Sequence, residues 1–192
     1  MIRLYGATGN EGKVREFRLA AQERPDIEIG QLPGFAQIPP CVEDGATFEE
    51  NAILKARHYG ARAPGLVFAD DSGLECDALG GAPGIYSARF GGLHASDATN
   101  NRVLLETLEH VEPRTARFVC VIALIDGARL CGVFRGTVQG LIARKPMGSS
   151  GFGYDPLFFF PPFARTFGQV SMKRKLTVSH RGEAMRALLA SL

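Results

Sequence analysis

The sequence predicts an α/β fold, and three observations carry that expectation. Short apolar runs at residues 2–7, 27–32, 65–69, 116–125 and 130–138 have the length and the flanking turn residues of strands. Segments with helical spacing and helix-start signals lie among them, at residues 13–22, 47–59 and 97–110. Glycine-rich loops follow two of the apolar runs, and the carboxyl ends of strands are where open α/β sheets bind ligands.

Taken in order, residues 2–7 open the chain as a strand, residues 8–12 form a glycine-containing loop, and residues 13–22 form a helix that stops before Pro25. A second strand follows at 27–32. Residues 33–45 are rich in Pro and Gly and read as irregular. Thr47 then caps a helix that runs to Tyr59, with Glu50 three residues on completing a capping box. The run at 65–69 is bounded by Pro64 and Asp70 and reads as a buried strand that ends in adjacent carboxylates, after which a glycine-rich loop extends to Gly92. Residues 97–110 are helical in pattern. The strands at 116–125 and 130–138 are joined by a hairpin turn at Asp126-Gly127, with Val119, Val121 and Ala123 on one face. A second glycine loop at 148–155 leads into the apolar residues 156–160, and Ser179 opens a last helix with Glu183 close behind.

At 192 residues with 45% hydrophobic content, the chain suits one large domain or two closely joined lobes. Its 22 basic and 20 acidic residues leave a net charge of +2, which gives no broad basic face for duplex nucleic acid and points to a small partner. Cys41, Cys76, Cys120 and Cys131 show neither a CxxC pair nor zinc-ligand spacing with His, and read as buried thiols of a reducing compartment. No signal-peptide architecture opens the sequence, and no apolar run approaches the ~20 residues that span a bilayer. A soluble cytoplasmic protein is expected.

Four polar clusters are candidates for chemistry. Asp70 and Asp71 lie side by side, where repulsion raises one pKa unless a cation is near; Mg²⁺ is one such cation, and an ordinary Asp-Ser-Gly turn is the alternative. Residues 8–13 offer backbone N–H groups, a helix amino terminus and Lys13 to phosphate oxygens, or else form a structural turn; the loop is not a Walker A motif, because Val14 follows Lys13. Glu43, Glu49, Glu50, Asn51 and Lys55 form a third cluster, in which Asn51 and Lys55 are four apart and share a helical face. The fourth is Lys173-Arg174-Lys175 with Ser179-His180-Arg181-Gly182, basic groups beside a helix amino terminus that an anion would stabilise.

Six segments in order closely resemble the inosine triphosphate pyrophosphatase family: Thr8-Gly9-Asn10 with Lys13, Asn51 to Ala56, Asp70 to Leu74, Gly81 to Phe90, Gly151 to Pro156, and Ser179 to Gly182. The resemblance spans almost the whole chain. It implies a nucleoside triphosphate pyrophosphatase that hydrolyses ITP, dITP and XTP to the monophosphate and pyrophosphate and so clears deaminated purines from the nucleotide pool. It also implies a long twisted mixed sheet with flanking helices, two lobes with a substrate cleft between them, and a homodimer that needs Mg²⁺; charge and hydropathy point to no nucleic acid and no membrane as partner.

Carried over residue by residue, the resemblance makes Asp71 the general base and a metal ligand, with Glu43 as second ligand and Asp70 beside them; Asp44 is the alternative to Glu43. Thr8, Gly9, Asn10, Glu11, Gly12 and Lys13 match the phosphate loop, and Lys55 and Lys175 match lysines near the triphosphate. Ser72 lies at the substrate. Phe152, Gly153, Tyr154 and Asp155, with His180 and Arg181, match the base-recognition groups. Gln169, Lys173 and Arg174 depart from the family's more acidic pattern, which leaves Lys173 as an alternative to Lys175, and Met147 stands where a basic residue is frequent. Two rivals are a Maf-like pyrophosphatase acting on pyrimidine triphosphates and a nucleotide sensor without turnover, the latter disfavoured by the intact Asp70, Asp71 and Lys13.

Overall fold

A computed structural model describes residues 1–192. In chain order the strands are β1 (Ile2–Gly6), β2 (Ile27–Gln31), β3 (Val67–Cys76), β4 (Thr115–Asp126), β5 (Arg129–Ile142), β6 (Phe158–Phe160) and β7 (Arg165–Thr166). The helices are α1 (Glu11–Ala20), α2 (Phe48–Gly60), α3 (Asp97–Thr107), α4 (Met172–Leu176) and α5 (His180–Ala190). The seven strands form a mixed sheet in the order β2-β1-β3-β4-β5-β6-β7. β1 runs parallel to β2 and β3, whereas β6 runs antiparallel to β5 and β7.

The chain divides into two compact units. The first comprises Met1–Asp71, Cys120–Gly136 and His180–Leu192; the second comprises Ser72–Val119 and Thr137–Ser179. Each has its own apolar core. In the first, Leu4, Phe17, Phe68, Ile122, Leu124, Met185 and Leu188 cluster, and the Phe17 and Phe68 rings meet edge to face at 5.2 Å. In the second, Leu74, Leu104, Leu108, Phe118, Leu157, Phe158 and Phe167 cluster, with Phe118 and Phe158 4.4 Å apart.

Most expected elements are present, and the differences have local causes. β3 does not end at Asp70: it continues through Asp70 and Asp71 to Cys76, so neither carboxylate is a turn residue. α1 begins two residues earlier than expected because Asn10 caps it, its Oδ1 accepting from Lys13 N at 3.0 Å. Thr47 caps α2 by accepting from Glu50 N at 3.1 Å, but Glu50 closes back on Ala46 N at 2.6 Å rather than on Thr47. α3 is capped by Ser96 and ends at Thr107, three residues short of the expected His110. β4 is buried on both faces from Phe118 to Ile125, so Val119, Val121 and Ala123 mark one of two buried faces. β6, β7 and α4 were not anticipated; they are two to five residues long, too short to carry a period. Only Cys76 and Cys120 are buried thiols; Cys41 is partly exposed and Cys131 exposed. No helix is long and apolar enough to cross a membrane.

Two features fix α5 within the first unit. Arg181 Nη1 donates to Glu16 Oε2 of α1 at 3.0 Å, with the two side chains 8% and 0% exposed. Gly136 of β5 lies so close to α5 that an added Cβ would overlap the His180 carbonyl oxygen and approach Ala184 N to 2.6 Å. The missing side chain is what allows this approach.

Two stability predictions follow from these contacts. Arg181→Ala strips a buried carboxylate of its guanidinium and should cost about 3–5 kcal/mol, a loss partly recovered by the double change Glu16→Gln/Arg181→Met. Urea denaturation checks this, and an unchanged midpoint for the single variant would contradict it. Gly136→Ala should cost about 1–3 kcal/mol through overpacking. Gly30→Ala in β2, where nothing lies within 4 Å of the new Cβ, should stay within about 0.5 kcal/mol. Equal effects of the two glycine changes would rule out the close-approach explanation.

Candidate active site

In the first unit the site is built where β1 and β3 run side by side. Ala7 N donates to Phe68 O at 2.9 Å, which sets the loop after β1 against β3 just before its carboxylates. Side chains alternate along a strand, so the neighbours Asp70 and Asp71 face opposite ways and find different partners. Asp70, 1% exposed at its side chain, accepts from Lys13 Nζ at 2.8 Å. Asp71 accepts from Lys55 Nζ at 3.1 Å and from Asn51 Nδ2 at 3.2 Å, both from the same face of α2. Asn51 is itself held, because its Oδ1 accepts from Gly45 N at 2.9 Å.

Lys55 has a second carboxylate partner. Its Nζ lies 2.8 Å from Glu43 Oε2, so one ammonium bridges Glu43 and Asp71. Of the adjacent Glu43 and Asp44, it is therefore Glu43 that reaches this group. Burial pushes the Asp70 carboxyl up, but Lys13, Lys55 and Arg181 outweigh it and hold Asp70 below the usual carboxylate range. For Asp71 burial prevails over the lysines, and its carboxyl is raised. Burial works against the charge on Lys55, yet Asp71, Asp70 and Glu43 together hold its pKa up.

Glu43 and Asp71 offer hard oxygen donors on one cation-binding point. No group of three or more His, Cys, Asp or Glu is arranged for a metal. Two carboxylates suffice for Mg²⁺, which completes its shell with waters and substrate phosphates, so the donor set fits that ion.

The loop Thr8–Lys13 lies beside these groups in the first unit. Thr8 Oγ1 accepts from Asn10 N at 3.2 Å, and the capped amino terminus of α1 directs its backbone N–H groups and partial positive charge outward with Gly9, Asn10, Glu11 and Gly12. His180 and Arg181 open α5 in the same unit, both buried.

The second unit holds the other expected residues. Gly151, at φ +77°, begins a tight loop in which an added Cβ would overlap the Asp155 carboxylate. Asp155 Oδ2 accepts from Phe152 N at 3.0 Å and from Lys175 Nζ at 2.6 Å. The Lys175 ammonium lies 5.2 Å from the centre of the Phe152 ring, within cation–π range. Lys175 is thus engaged with the loop residues Phe152 and Asp155, whereas Lys173 is exposed on the same short helix. Tyr154 is buried and donates its hydroxyl to Ser87 O at 2.8 Å. Ser72, half-buried, follows Asp71 along β3.

Sequence reasoning missed three groups that touch these residues. Glu16 falls four residues after Gly12 on the buried face of α1, but nothing local announces an arginine 165 positions away. Asp97 and Asn101 of α3 both bond Gly153, at 2.6 and 2.9 Å. Their i,i+4 spacing on a capped helix was a visible signal, although the loop they meet was not.

Comparison with known proteins bears out the expected family. The pattern defining the Ham1 family matches residues 4–191. A dITP/XTP pyrophosphatase from Syntrophobacter fumaroxidans is 50% identical over 95% of this chain and 78% of its own length. One of the same name from an Exiguobacterium species is 46% identical over 100% of this chain and 97% of its own. A Ham1 protein structure from Coxiella burnetii superposes with a TM-score of 0.88 at 37% identity, covering 99% of this chain and 98% of that one. With motifs, sheet and full-length similarity in agreement, the chain belongs to the Ham1 family.

Proposed function

We propose that this protein hydrolyses ITP, dITP and XTP to the nucleoside monophosphate and pyrophosphate by attack of water on the α-phosphorus. The names of its relatives support the substrate class. The observation that carries the chemistry is Asp71, raised by burial and tied through Lys55 to Glu43, in the unit that also holds Lys13 and the capped amino terminus of α1.

In this reading the loop of residues 8–13 at the amino terminus of α1, with Lys13 and Lys55, holds the triphosphate oxygens. Glu43 and Asp71 would hold Mg²⁺, which when bound supplies charge neutralisation on the phosphates. Asp71 orients a water and accepts its proton. The water oxygen bonds to the α-phosphorus as the bond from that phosphorus to the α–β bridging oxygen breaks, and pyrophosphate leaves with the electron pair. Asn51 keeps the Asp71 carboxylate in place, and Ser72 beside it meets the substrate.

The base is assigned to Phe152, Gly153, Tyr154 and Asp155, with His180 and Arg181. Phe152 offers a stacking face. A 6-oxo purine accepts hydrogen bonds where adenine donates them, and each mispaired buried donor costs about 1–3 kcal/mol, so a few such contacts disfavour ATP. The ion pair with Asp155 supports moving Lys175 to the base end, in place of the triphosphate role expected for it. The family resemblance further supports a cytoplasmic homodimer.

Asp71→Asn keeps the shape and removes the base, and it should lower kcat for ITP by about 10²–10⁴-fold without loss of the folded state. Pyrophosphate release with circular dichroism as the folding control checks this. A kcat near the parent value would remove Asp71 from the role of base.

A further inference from the structure

We propose that Asp97 and Asn101 are positioning residues for nucleotide binding, acting by clamping the peptide groups of Gly153 and so fixing the Phe152–Asp155 loop. The proposal rests on the assignment of that loop to the base. Gly153 N donates to Asp97 Oδ2 at 2.6 Å, and Gly153 O accepts from Asn101 Nδ2 at 2.9 Å. Both backbone groups of one residue are thereby taken by side chains one helical turn apart on α3. These two bonds fix the peptide planes on either side of Gly153, and with them the direction in which Phe152 leaves the chain.

Other contacts locate different parts of the loop. Its ends are held by backbone bonds, Met147 N to Pro156 O at 2.9 Å, Ser150 N to Gly168 O at 2.9 Å and Gly168 N to Asp155 O at 2.8 Å. Gly153, at φ +60°, has no atom within 4 Å of where a Cβ would be. A cavity of about 400 Å³ lined by Asn101, Ala98, Leu105, Pro146, Gly148 and Pro156 lies alongside the ends of the loop. Asn101 is 8% exposed, and donation from its Nδ2 to Gly153 O is the bond that orients the amide.

The consequence is a split in kinetic behaviour. A loop that binds the base far from the reacting phosphorus contributes equally to ground and transition states, so loosening it raises KM and spares kcat. Asn101→Asp has the same shape but sets a carboxylate oxygen against the Gly153 carbonyl. Asp97→Ala deletes the acceptor at an exposed position, and Asp97→Asn restores an acceptor without the charge.

The experiment measures kcat and KM for ITP and the melting temperature of these three variants, with Phe152→Ala as reference. Asn101→Asp and Asp97→Ala should each raise KM about five- to tenfold with kcat within about twofold, and Asp97→Asn should return KM most of the way to the parent value. Phe152→Ala should move KM in the same direction. A raised KM in Phe152→Ala with parental KM in Asn101→Asp and Asp97→Ala would overturn the clamp and leave the base assignment standing. Parental KM in Phe152→Ala would overturn both. Failure of Asp97→Asn to improve on Asp97→Ala would also overturn the clamp, because a hydrogen-bond acceptor would then not be what Gly153 requires.

Discussion

The alternation of side chains along β3 is the constraint on which the first unit's chemistry depends. Two carboxylates adjacent in sequence could share one environment in a turn, and each would then raise the other's pKa. On a strand they are sent to opposite faces. Asp70 is sealed with Lys13 of α1 and held fully charged, while Asp71 is met by Asn51 and Lys55 of α2 and raised. A single backbone geometry thus makes one carboxylate a fixed counter-charge for Lys13 and leaves the other, with its pKa raised, for the role of base proposed above. α1 delivers Lys13 to one and α2 delivers Lys55 to the other.

How much of this was legible in the sequence depended on the range of the interaction. Asn10 and Thr47 sit within three residues of the groups they cap, and the helix starts are where such residues predict them to within two positions. That Asn51 and Lys55 share a helical face was readable from their spacing of four; that the face meets Asp71 was not. The continuation of β3 was not, because Asp-Asp-Ser-Gly has every local feature of a turn and its strand state is imposed by neighbours in the sheet. The burial of Lys175 and Arg181 was not legible for a related reason. Both sit in basic runs beside a helix amino terminus, yet each is almost wholly buried against a carboxylate 20 or 165 positions away. A long-range ion pair leaves no trace in local pattern.

The second unit applies a different economy. Its loop from Gly151 to Asp155 is anchored in the core by Tyr154 and oriented by polar bonds, with Asp155 serving Phe152 N and Lys175, Tyr154 reaching Ser87, and α3 taking Gly153. Such a network specifies orientation more sharply than apolar contact does, and each missing member leaves its partner exposed to a desolvation cost. The base-recognition role proposed for this loop would draw on that precision, since hypoxanthine and adenine differ in hydrogen-bond direction and hardly at all in shape.

The most direct test of the account is release of pyrophosphate and of orthophosphate from ITP, XTP, dITP, dTTP, GTP and ATP, with Mg²⁺ and with a chelator. The account predicts pyrophosphate from ITP, XTP and dITP, little turnover of ATP, and loss of activity when the metal is removed. Orthophosphate as the product, preferential hydrolysis of dTTP, or no turnover of any of these nucleotides would contradict it.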